Sequence, residues 1–193
     1  MKKKSNIWIY LLTLMGIFIM FINSCKKDNN SANNSNNNHP NLKIGQNYEG
    51  GVIFYIDSTG EHGLICAPTN QSTGIQWYNG QYIYTNATGT SIGTGKTNTN
   101  TVIKIQGAGN YAANLCNTLT LNGYKDWFLP SKEELNLLFA QKEAGTVSGF
   151  TNNFFWSSSE EDNNFAYYQD FFLGTQTCGY KNAMAYVRAI RAF

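Results

Sequence analysis

The sequence has few of the residues that enzymes use most often for acid–base or nucleophilic chemistry. Its 193 residues include only two histidines, His39 and His62, and charged residues make up 13% of the chain. It contains no G-x-S-x-G nucleophile motif and no cysteine–histidine spacing typical of a zinc site. His62 lies four residues before Cys66 across a predicted turn, which does not orient a base towards the thiol. The sequence therefore predicts that the protein is not an enzyme.

A nucleotide-binding loop is also incomplete. The segment GTGKT at residues 93–97 resembles the end of a phosphate-binding loop, but the position five residues before Gly95 is Thr90 rather than glycine. The sequence predicts neither a strand directly before this segment nor a helix directly after it. We therefore expect a tight glycine turn that binds no nucleotide.

The chain has no excess of basic residues once its N-terminal lysines are set aside. Lys2, Lys3 and Lys4 belong to a predicted export signal, and the rest of the chain has 11 basic and 12 acidic residues. The resulting net formal charge of −1 does not favour a broad basic surface. The sequence therefore predicts no nucleic-acid partner.

A long hydrophobic run is present at the N-terminus. Residues 7–22 are almost wholly apolar, which is short for a membrane span but typical of a signal peptide. Ile22-Asn23-Ser24-Cys25 then places a small residue before cysteine, as in the lipobox of bacterial lipoproteins. We predict a signal peptide at residues 1–24 and a lipid on Cys25 that anchors the protein in a membrane. An uncut anchor helix and an ordinary signal peptide are the alternatives.

A polar segment separates Cys25 from the rest of the chain. Residues 26–40 read KKDNNSANNSNNNHP and contain almost no apolar side chain that a fold could bury. We therefore interpret residues 25–41 as the lipidated cysteine with a disordered tether, and residues 42–193 as a single domain. The predicted location is the cell envelope, in the outer membrane of a Gram-negative bacterium.

The pattern of the domain begins and ends with strands. Alternating and apolar runs predict a hairpin from residues 51–57 and 63–67, a third short strand at 75–78, and further strands from Phe154 to the last residue. A Gly/Thr/Asn-rich loop is expected at residues 85–100, and its length suggests a functional role.

Two helices are predicted between these strands. Helical periodicity runs from about Thr101 to Leu121. The buried-looking run Trp127-Phe128-Leu129 precedes a second helix, which Ser131 and Glu134 begin as a capping box and which ends near Gly145. Together these elements predict an α+β fold whose termini lie close together.

Three cysteines remain in the predicted domain when Cys25 carries the lipid. They are Cys66, Cys116 and Cys178. An odd number allows at most one disulfide, and the sequence does not select the pair.

Aromatic and acidic residues provide the candidate ligand-binding site. Trp77 and Tyr78 lie at the start of the long polar loop, where exposed aromatic faces can stack on sugar rings, whereas Trp127 and Trp156 are expected in the core. Oxygen side chains of the cluster at residues 160–164 can hold Ca²⁺, but their spacing matches no defined calcium loop. A solvated turn is therefore favoured, and no cofactor is predicted. The candidate ligand-binding residues are Trp77, Tyr78, Glu160, Asp162 and Asn164.

Several motifs, taken in order, resemble one domain family over nearly all of residues 44–193. They are Tyr48-Glu49-Gly50-Gly51, GEHGLICAP from Gly60, IGTGKT from Ile92, GYKDWFLPSKEELNLL from Gly123, FWSSSE from Phe155 and VRAIRAF from Val187. The resemblance is to the C-terminal domain of the bacterial collagen-like adhesin Lcl. It implies a lipoprotein or secreted protein, and the adhesin itself is trimeric and binds sulfated glycosaminoglycans.

The order of elements also resembles the C-type lectin-like superfamily. In that fold two helices flank a looped sheet and the chain ends meet in neighbouring strands. The Glu-Pro-Asn and Trp-Asn-Asp motifs of calcium-dependent sugar-binding members are absent. The resemblance therefore implies a C-type lectin-like architecture without calcium-dependent sugar binding.

Two functions from different classes follow as hypotheses. The first is a non-enzymatic binding module that recognises glycan or another surface polymer through the loops at 76–100 and 157–164. The second is a structural or protein-partner subunit of an envelope complex.

Overall fold

A computed structural model of the chain describes residues 41–193. The predicted signal peptide at 1–24, the predicted lipidation site Cys25 and the tether at 26–40 lie outside the described residues.

The first of two sheets joins the beginning and the end of the domain. It contains β1 (Asn47–Tyr48), β2 (Gly51–Ile56), β3 (Gly63–Cys66) and β9 (Ile190–Ala192), in the order β1-β2-β3-β9 with every pair antiparallel. The predicted hairpin is therefore confirmed, and its turn forms because the Asp57 carboxylate accepts hydrogen bonds from the N–H groups of Thr59 and Gly60. The rings of Tyr48 and Phe193 touch with centroids 5.3 Å apart, so the two ends of the domain lie close together as predicted.

The second sheet carries the long polar connections. It contains β4 (Ser72–Ile75), β5 (Phe154–Glu160), β6 (Phe165–Asp170), β7 (Gln176–Tyr180) and β8 (Ala185–Val187), in the order β4-β8-β5-β6-β7. The β5–β8 pair is parallel and the others are antiparallel. The third strand predicted at 75–78 lies a few residues earlier, because Trp77 leaves the strand to enter the core.

Three helices lie between β4 and β5, where the sequence predicted two. They are α1 (Gly95–Gln106), α2 (Ala112–Asn117) and α3 (Lys132–Glu143). The single helix predicted over 101–121 is wrong because Gly107, with φ at +73°, ends α1 and turns the chain before α2. The prediction that no helix directly follows residues 93–97 is also wrong, since α1 begins at Gly95 within that segment.

The start of α3 follows the predicted pattern. The hydroxyl of Ser131 accepts the Glu134 N–H, and the Glu134 carboxylate accepts the Ser131 N–H in return. The run 127–129 before it is buried as predicted. The described domain is thus of the α+β class, with two mostly antiparallel sheets and three helices.

Two buried tryptophans connect the second sheet to the core. The indole N–H of Trp156 donates to the Ile75 carbonyl at 2.8 Å, and that of Trp77 donates to the Ser157 carbonyl at 2.8 Å. Both side chains are fully buried and both donors are satisfied, so the rings pack without leaving an unpaired polar group. Trp127 is also buried, which confirms the prediction that Trp127 and Trp156 belong to the core.

The three cysteines of the described residues are free thiols. Cys66 and Cys116 are buried, whereas Cys178 on β7 is half-buried. Burial raises the pKa of Cys66 to about 11, and burial also raises the pKa of Cys116.

These environments predict a fixed order of thiol alkylation. In the folded chain with Cys25→Ser, iodoacetamide at pH 8 is expected to modify Cys178 first, because only this thiol is partly accessible. Cys66 and Cys116 are expected to react only after denaturation, and peptide mass spectrometry measures each site. A Cys178→Ser variant serves as the control and should show no modification in the folded state. Rapid native labelling of Cys116 would contradict the prediction.

Candidate functional site

The segment at residues 79–94 has no helix or strand, yet buried polar groups hold it against the second sheet. Two of these groups are the carboxylates of Glu160 and Glu134, and a third is the amide of Asn98. We call residues 79–94 the polar loop. Apart from a few backbone bonds, such as that from the Glu160 N–H to the Ala87 carbonyl, much of its backbone is hydrogen-bonded by side chains, since it is not paired along its length with a strand.

Glu160, the last residue of β5, holds the middle of the polar loop. Its carboxylate accepts the N–H of Thr85 at 2.8 Å, the hydroxyl of Thr85 at 2.9 Å and the N–H of Ala87 at 3.4 Å. It also pairs with the Lys181 ammonium at 2.5 Å, and the exposed fraction of both side chains is 0%. Burial without partners would cost both charges their hydration, so these contacts are what makes their burial possible.

Lys181 directly follows β7 and extends the same network. Its ammonium donates to the carbonyls of Ile83 at 3.1 Å and Asn163 at 2.9 Å, besides the Glu160 carboxylate. It also lies 5.0 Å from the centre of the Trp77 ring, within the range of a cation–π contact. One ion pair therefore joins the polar loop, the end of β5, the β5–β6 turn and the residue after β7.

The end of the polar loop is held by Glu134. Its carboxylate accepts the Gly93 N–H at 2.8 Å, and a Cβ added to Gly95 would lie 2.2 Å from its Oε2. Burial raises the pKa of Glu134, partly opposed by hydrogen bonds from the backbone of Ser131 and Gly93. A protein carboxylate thus occupies the place before α1 where a phosphate-binding loop would hold phosphate.

Of the five predicted site residues, three are buried. Trp77, Tyr78 and Glu160 lie in the core or the buried network, whereas Asp162 and Asn164 are exposed in the β5–β6 turn. The predicted exposure of Trp77 and Tyr78 is therefore wrong. The reason for Trp77 is that its N–H bonds to Ser157 and its ring contacts Lys181, which requires it to lie beneath the polar loop rather than on it.

An open groove of about 410 Å³ lies where the polar loop passes the β5–β6 turn. It is lined by Tyr84, Glu161, Asp162, Asn163 and Asn164. The Asp162 carboxylate accepts the N–H groups of Asn164 and Phe165 through one oxygen, Oδ1, and so fixes the turn. The Glu161 carboxylate accepts the hydroxyl hydrogen bond of Tyr167.

Exposed tyrosines continue from the groove along the polar loop. Tyr82, Tyr84 and Tyr180 are all exposed, and the rings of Tyr78 and Tyr82 touch with centroids 4.8 Å apart. Desolvation raises the pKa of Tyr82, and the phenols of Tyr78 and Tyr180 raise it further. Tyr180 is the register partner of Phe165, directly after the 161–164 turn, and the two rings touch with centroids 4.4 Å apart. We call Tyr82, Tyr84, Tyr180 and the groove residues 161–164 the aromatic–acidic surface.

Sequence reasoning missed the tyrosines of this surface. The signal that indicates them is the alternation Tyr82-Ile83-Tyr84, which in an extended segment places both tyrosines on one side. Between them, the Ile83 carbonyl accepts a hydrogen bond from the Lys181 ammonium at 3.1 Å, which holds the backbone of this segment.

The described residues contain neither a candidate metal site nor a candidate membrane-spanning helix. Within residues 41–193, no group of three or more His, Cys, Asp or Glu side chains is placed to hold a metal ion. In the same residues no helix combines the length and the apolar character that crossing a membrane requires.

Comparison with known proteins identifies the family. The sequence matches the Lcl C-terminal domain over residues 68–191, and the chain therefore belongs to this family. Membership indicates a surface protein of the adhesin-like or accessory kind. No curated protein matches the chain.

A fimbrial protein from Bacteroides ovatus is among the solved structures that share the fold, with a TM-score of 0.52 and 13% sequence identity. The match covers 77% of this chain and 48% of the fimbrial protein, so the chain spans about half the length of that structure. At this identity the likeness concerns the fold alone.

The buried ion pair predicts strong coupling between Glu160 and Lys181. Removing either partner, with Glu160→Gln or Lys181→Met, is expected to lower the free energy of unfolding by about 3–5 kcal/mol, because the remaining group stays buried without its partner. The double variant is expected to lose less than the sum of the two single losses. Urea unfolding followed by fluorescence measures all three.

An exposed ion pair of the same domain provides the control. Glu143 contacts Lys142 at 2.6 Å but half of its side chain is in solvent, so Glu143→Gln should cost less than about 1 kcal/mol. Additive losses in the double variant would show that Glu160 and Lys181 do not act as a pair.

Proposed function

We propose that this member of the Lcl C-terminal domain family is a non-enzymatic binding module displayed on the cell envelope, where it recognises glycan or another surface polymer. In this proposal a lipid on Cys25 anchors the protein in the outer membrane, and no cofactor or metal takes part. The observation that carries it is the groove in which Tyr84 faces the β5–β6 turn at residues 161–164.

The chemistry of the aromatic–acidic surface suits a carbohydrate. Tyrosine rings present apolar faces on which sugar rings stack, and Tyr82, Tyr84 and Tyr180 are rigid aromatic groups that lose little entropy when they bind. The carboxylate of Asp162 and the amides of Asn163 and Asn164 offer acceptors and donors for sugar hydroxyl groups. A few polar groups beside an apolar face are the usual composition of a small-ligand site.

The charge of the groove favours a neutral polymer over a sulfated one. Its lining, as far as the described residues show, includes the carboxylates of Glu161 and Asp162 and no lysine or arginine. The nearby Lys181 is already neutralised by Glu160. A sulfate group brought to this groove would meet like charge, which disfavours binding.

The C-type lectin-like architecture is part of the same proposal. Contact between the chain ends through Tyr48 and Phe193, with a long polar loop held over the second sheet, supports it. Such a fold presents a loop-built surface on a fixed sheet, and the aromatic–acidic surface has this form.

A second candidate is an accessory or structural subunit of an envelope assembly. The observation that favours it is the fold shared with the fimbrial protein. Cross-linking in intact envelopes followed by mass spectrometry separates the two candidates. One stoichiometric protein partner would favour the accessory subunit, whereas glycan capture without such a partner would favour the binding module.

The binding proposal predicts a specific loss on substitution of Tyr84. In a glycan array followed by titration of the best ligand, Tyr84→Ala is expected to weaken binding about tenfold, because one stacking face is removed. Asp162→Ala is expected to weaken binding as well and to loosen the turn that Asp162 fixes.

Ile105→Ala is the matched control. Ile105 lies on α1 with 44% of its surface exposed, close to the 45% of Tyr84, and does not line the groove. It should leave binding unchanged. A null result across neutral, amino and sulfated glycans, or equal losses in the Tyr84 and Ile105 variants, would count against the proposal.

A further inference from the structure

An apolar patch lies at the turn between β6 and β7. Phe172 and Leu173 are 65% and 68% exposed, more than almost every other large hydrophobic side chain of the described residues. Phe154, at the first position of β5, is also exposed and is the register partner of Asp170 at the end of β6. Three exposed apolar side chains therefore lie at the same end of the second sheet. We call Phe154, Phe172 and Leu173 the apolar tip.

The apolar tip is held firmly rather than hanging from a loose loop. The Asp170 carboxylate accepts the Phe172 N–H at 2.8 Å, and the Gly174 N–H donates to the Asp170 carbonyl at 2.8 Å. Phe171, between the exposed residues and β6, is buried in the core. The fold thus presents Phe172 and Leu173 to solvent in a fixed position, at the cost of leaving apolar surface in water.

The apolar tip and the aromatic–acidic surface lie at opposite ends of the same strands. β5 runs from Phe154 at the tip to Glu160 beside the groove, and β6 returns from the 161–164 turn to Asp170. A strand of seven residues is about 23 Å long, so the two surfaces are separated by roughly that distance.

Helix α3 runs between the same two ends. At its start the Lys132 N–H donates to the hydroxyl of Ser159, near the end of β5. At its other end the Lys142 ammonium donates to the Phe171 carbonyl at 2.8 Å, next to the apolar tip. The last turn of α3 therefore marks the tip end of the domain.

The chain enters the domain close to that end of α3. A Cβ added to Gly45 would lie 3.2 Å from the carbonyl oxygen of Thr146, three residues after α3 ends. Fifteen residues separate Cys25 from Asn41 in the sequence, and a chain of that length spans at most about 50 Å. A lipid on Cys25 would thus keep the domain near a membrane, with its point of attachment on the side of the apolar tip.

From these placements we infer that the apolar tip docks on the lipid surface that holds the anchor, so that the aromatic–acidic surface faces away from the membrane. This inference rests on the lipid anchor of the proposed function. Because the anchor already holds the domain at the membrane, even a weak contact of the three side chains of the apolar tip favours one orientation over the others. The partner surface is the acyl–headgroup boundary of a bilayer, where phenylalanine and leucine are readily accommodated.

The test supplies the anchor chemically, so that it does not depend on lipidation in the cell. The chain from Cys25 onward, with Cys178→Ser, is coupled through Cys25 to a maleimide lipid in phosphatidylethanolamine–phosphatidylglycerol vesicles that also carry a doxyl-labelled lipid. Phe172→Trp introduces a fluorescent reporter at the tip. The tryptophans of the domain at 77, 127 and 156 are buried and give a common background.

Tyr180→Trp provides the matched control. Tyr180 is 59% exposed, close to the 65% of Phe172, but it is the register partner of Phe165, beside the 161–164 turn at the groove end of the sheet. We expect the doxyl lipid to remove about half or more of the added emission of the Phe172→Trp chain and little of that of the Tyr180→Trp chain, since quenching requires contact with the bilayer. Adding Leu173→Ser to Phe172→Trp is expected to reduce the quenching.

The outcomes distinguish the inference from the function on which it rests. Equal quenching of the two reporters, or none at the tip, would overturn the docking of the apolar tip even if glycan binding is found. Mass spectrometry of the chain taken from envelopes tests the lipid on Cys25 separately. Circular dichroism of each variant shows that the domain is folded, so that a loss of quenching reports on docking alone.

Discussion

The ion pair between Glu160 and Lys181 lies where four parts of the chain meet, and the shape of the candidate site depends on it. Neither charge reaches solvent, and each is surrounded by hydrogen-bond partners from the polar loop or the β5–β6 turn. A buried ion pair contributes little net stability compared with a packed apolar pair, but it accepts only partners that complete its hydrogen bonds. Its contribution here is therefore specificity: the backbone at Ile83 and Thr85 has one position in which all of these bonds form.

This constraint explains why an irregular segment can carry a defined surface. A loop that is not paired along its length with a strand must satisfy many of its backbone groups through side chains. Besides Glu160, the side chains of Asn98 and Ser159 hydrogen-bond the backbone of Gly89, and the Glu134 carboxylate accepts the Gly93 N–H. The exposed tyrosines of the aromatic–acidic surface are then attached to a backbone that is fixed from beneath. Since ordering costs are met when the domain folds, a ligand that stacks on Tyr84 need not order the loop.

The sequence predicts the frame of this molecule better than its site. Some features follow from the pattern of neighbouring residues alone, because the contacts that cause them are local. They are the hairpin at 51–67, the capping box at Ser131 and the core positions of Trp127 and Trp156. The break after Gln106 does not follow from the pattern, because the apolar periodicity continues across residues 107–111, where Gly107 takes a positive φ and Tyr111 is extended. Trp77 and Glu160 were misplaced because their burial depends on Ser157 and Lys181, which lie far along the chain. Local pattern does not reveal such long-range partners.

The pairing of β9 with β3 has a consequence for how the domain reaches its folded state. Ile190 is the register partner of Cys66, more than a hundred residues earlier, so the first sheet is incomplete until the last strand is available. Contacts of such separation make folding slow, since a long loop must close before its contacts form. A chain still being synthesised would lack β9 and could not close this sheet. The same strand order that brings the ends of the domain together thus delays folding until β9 is available.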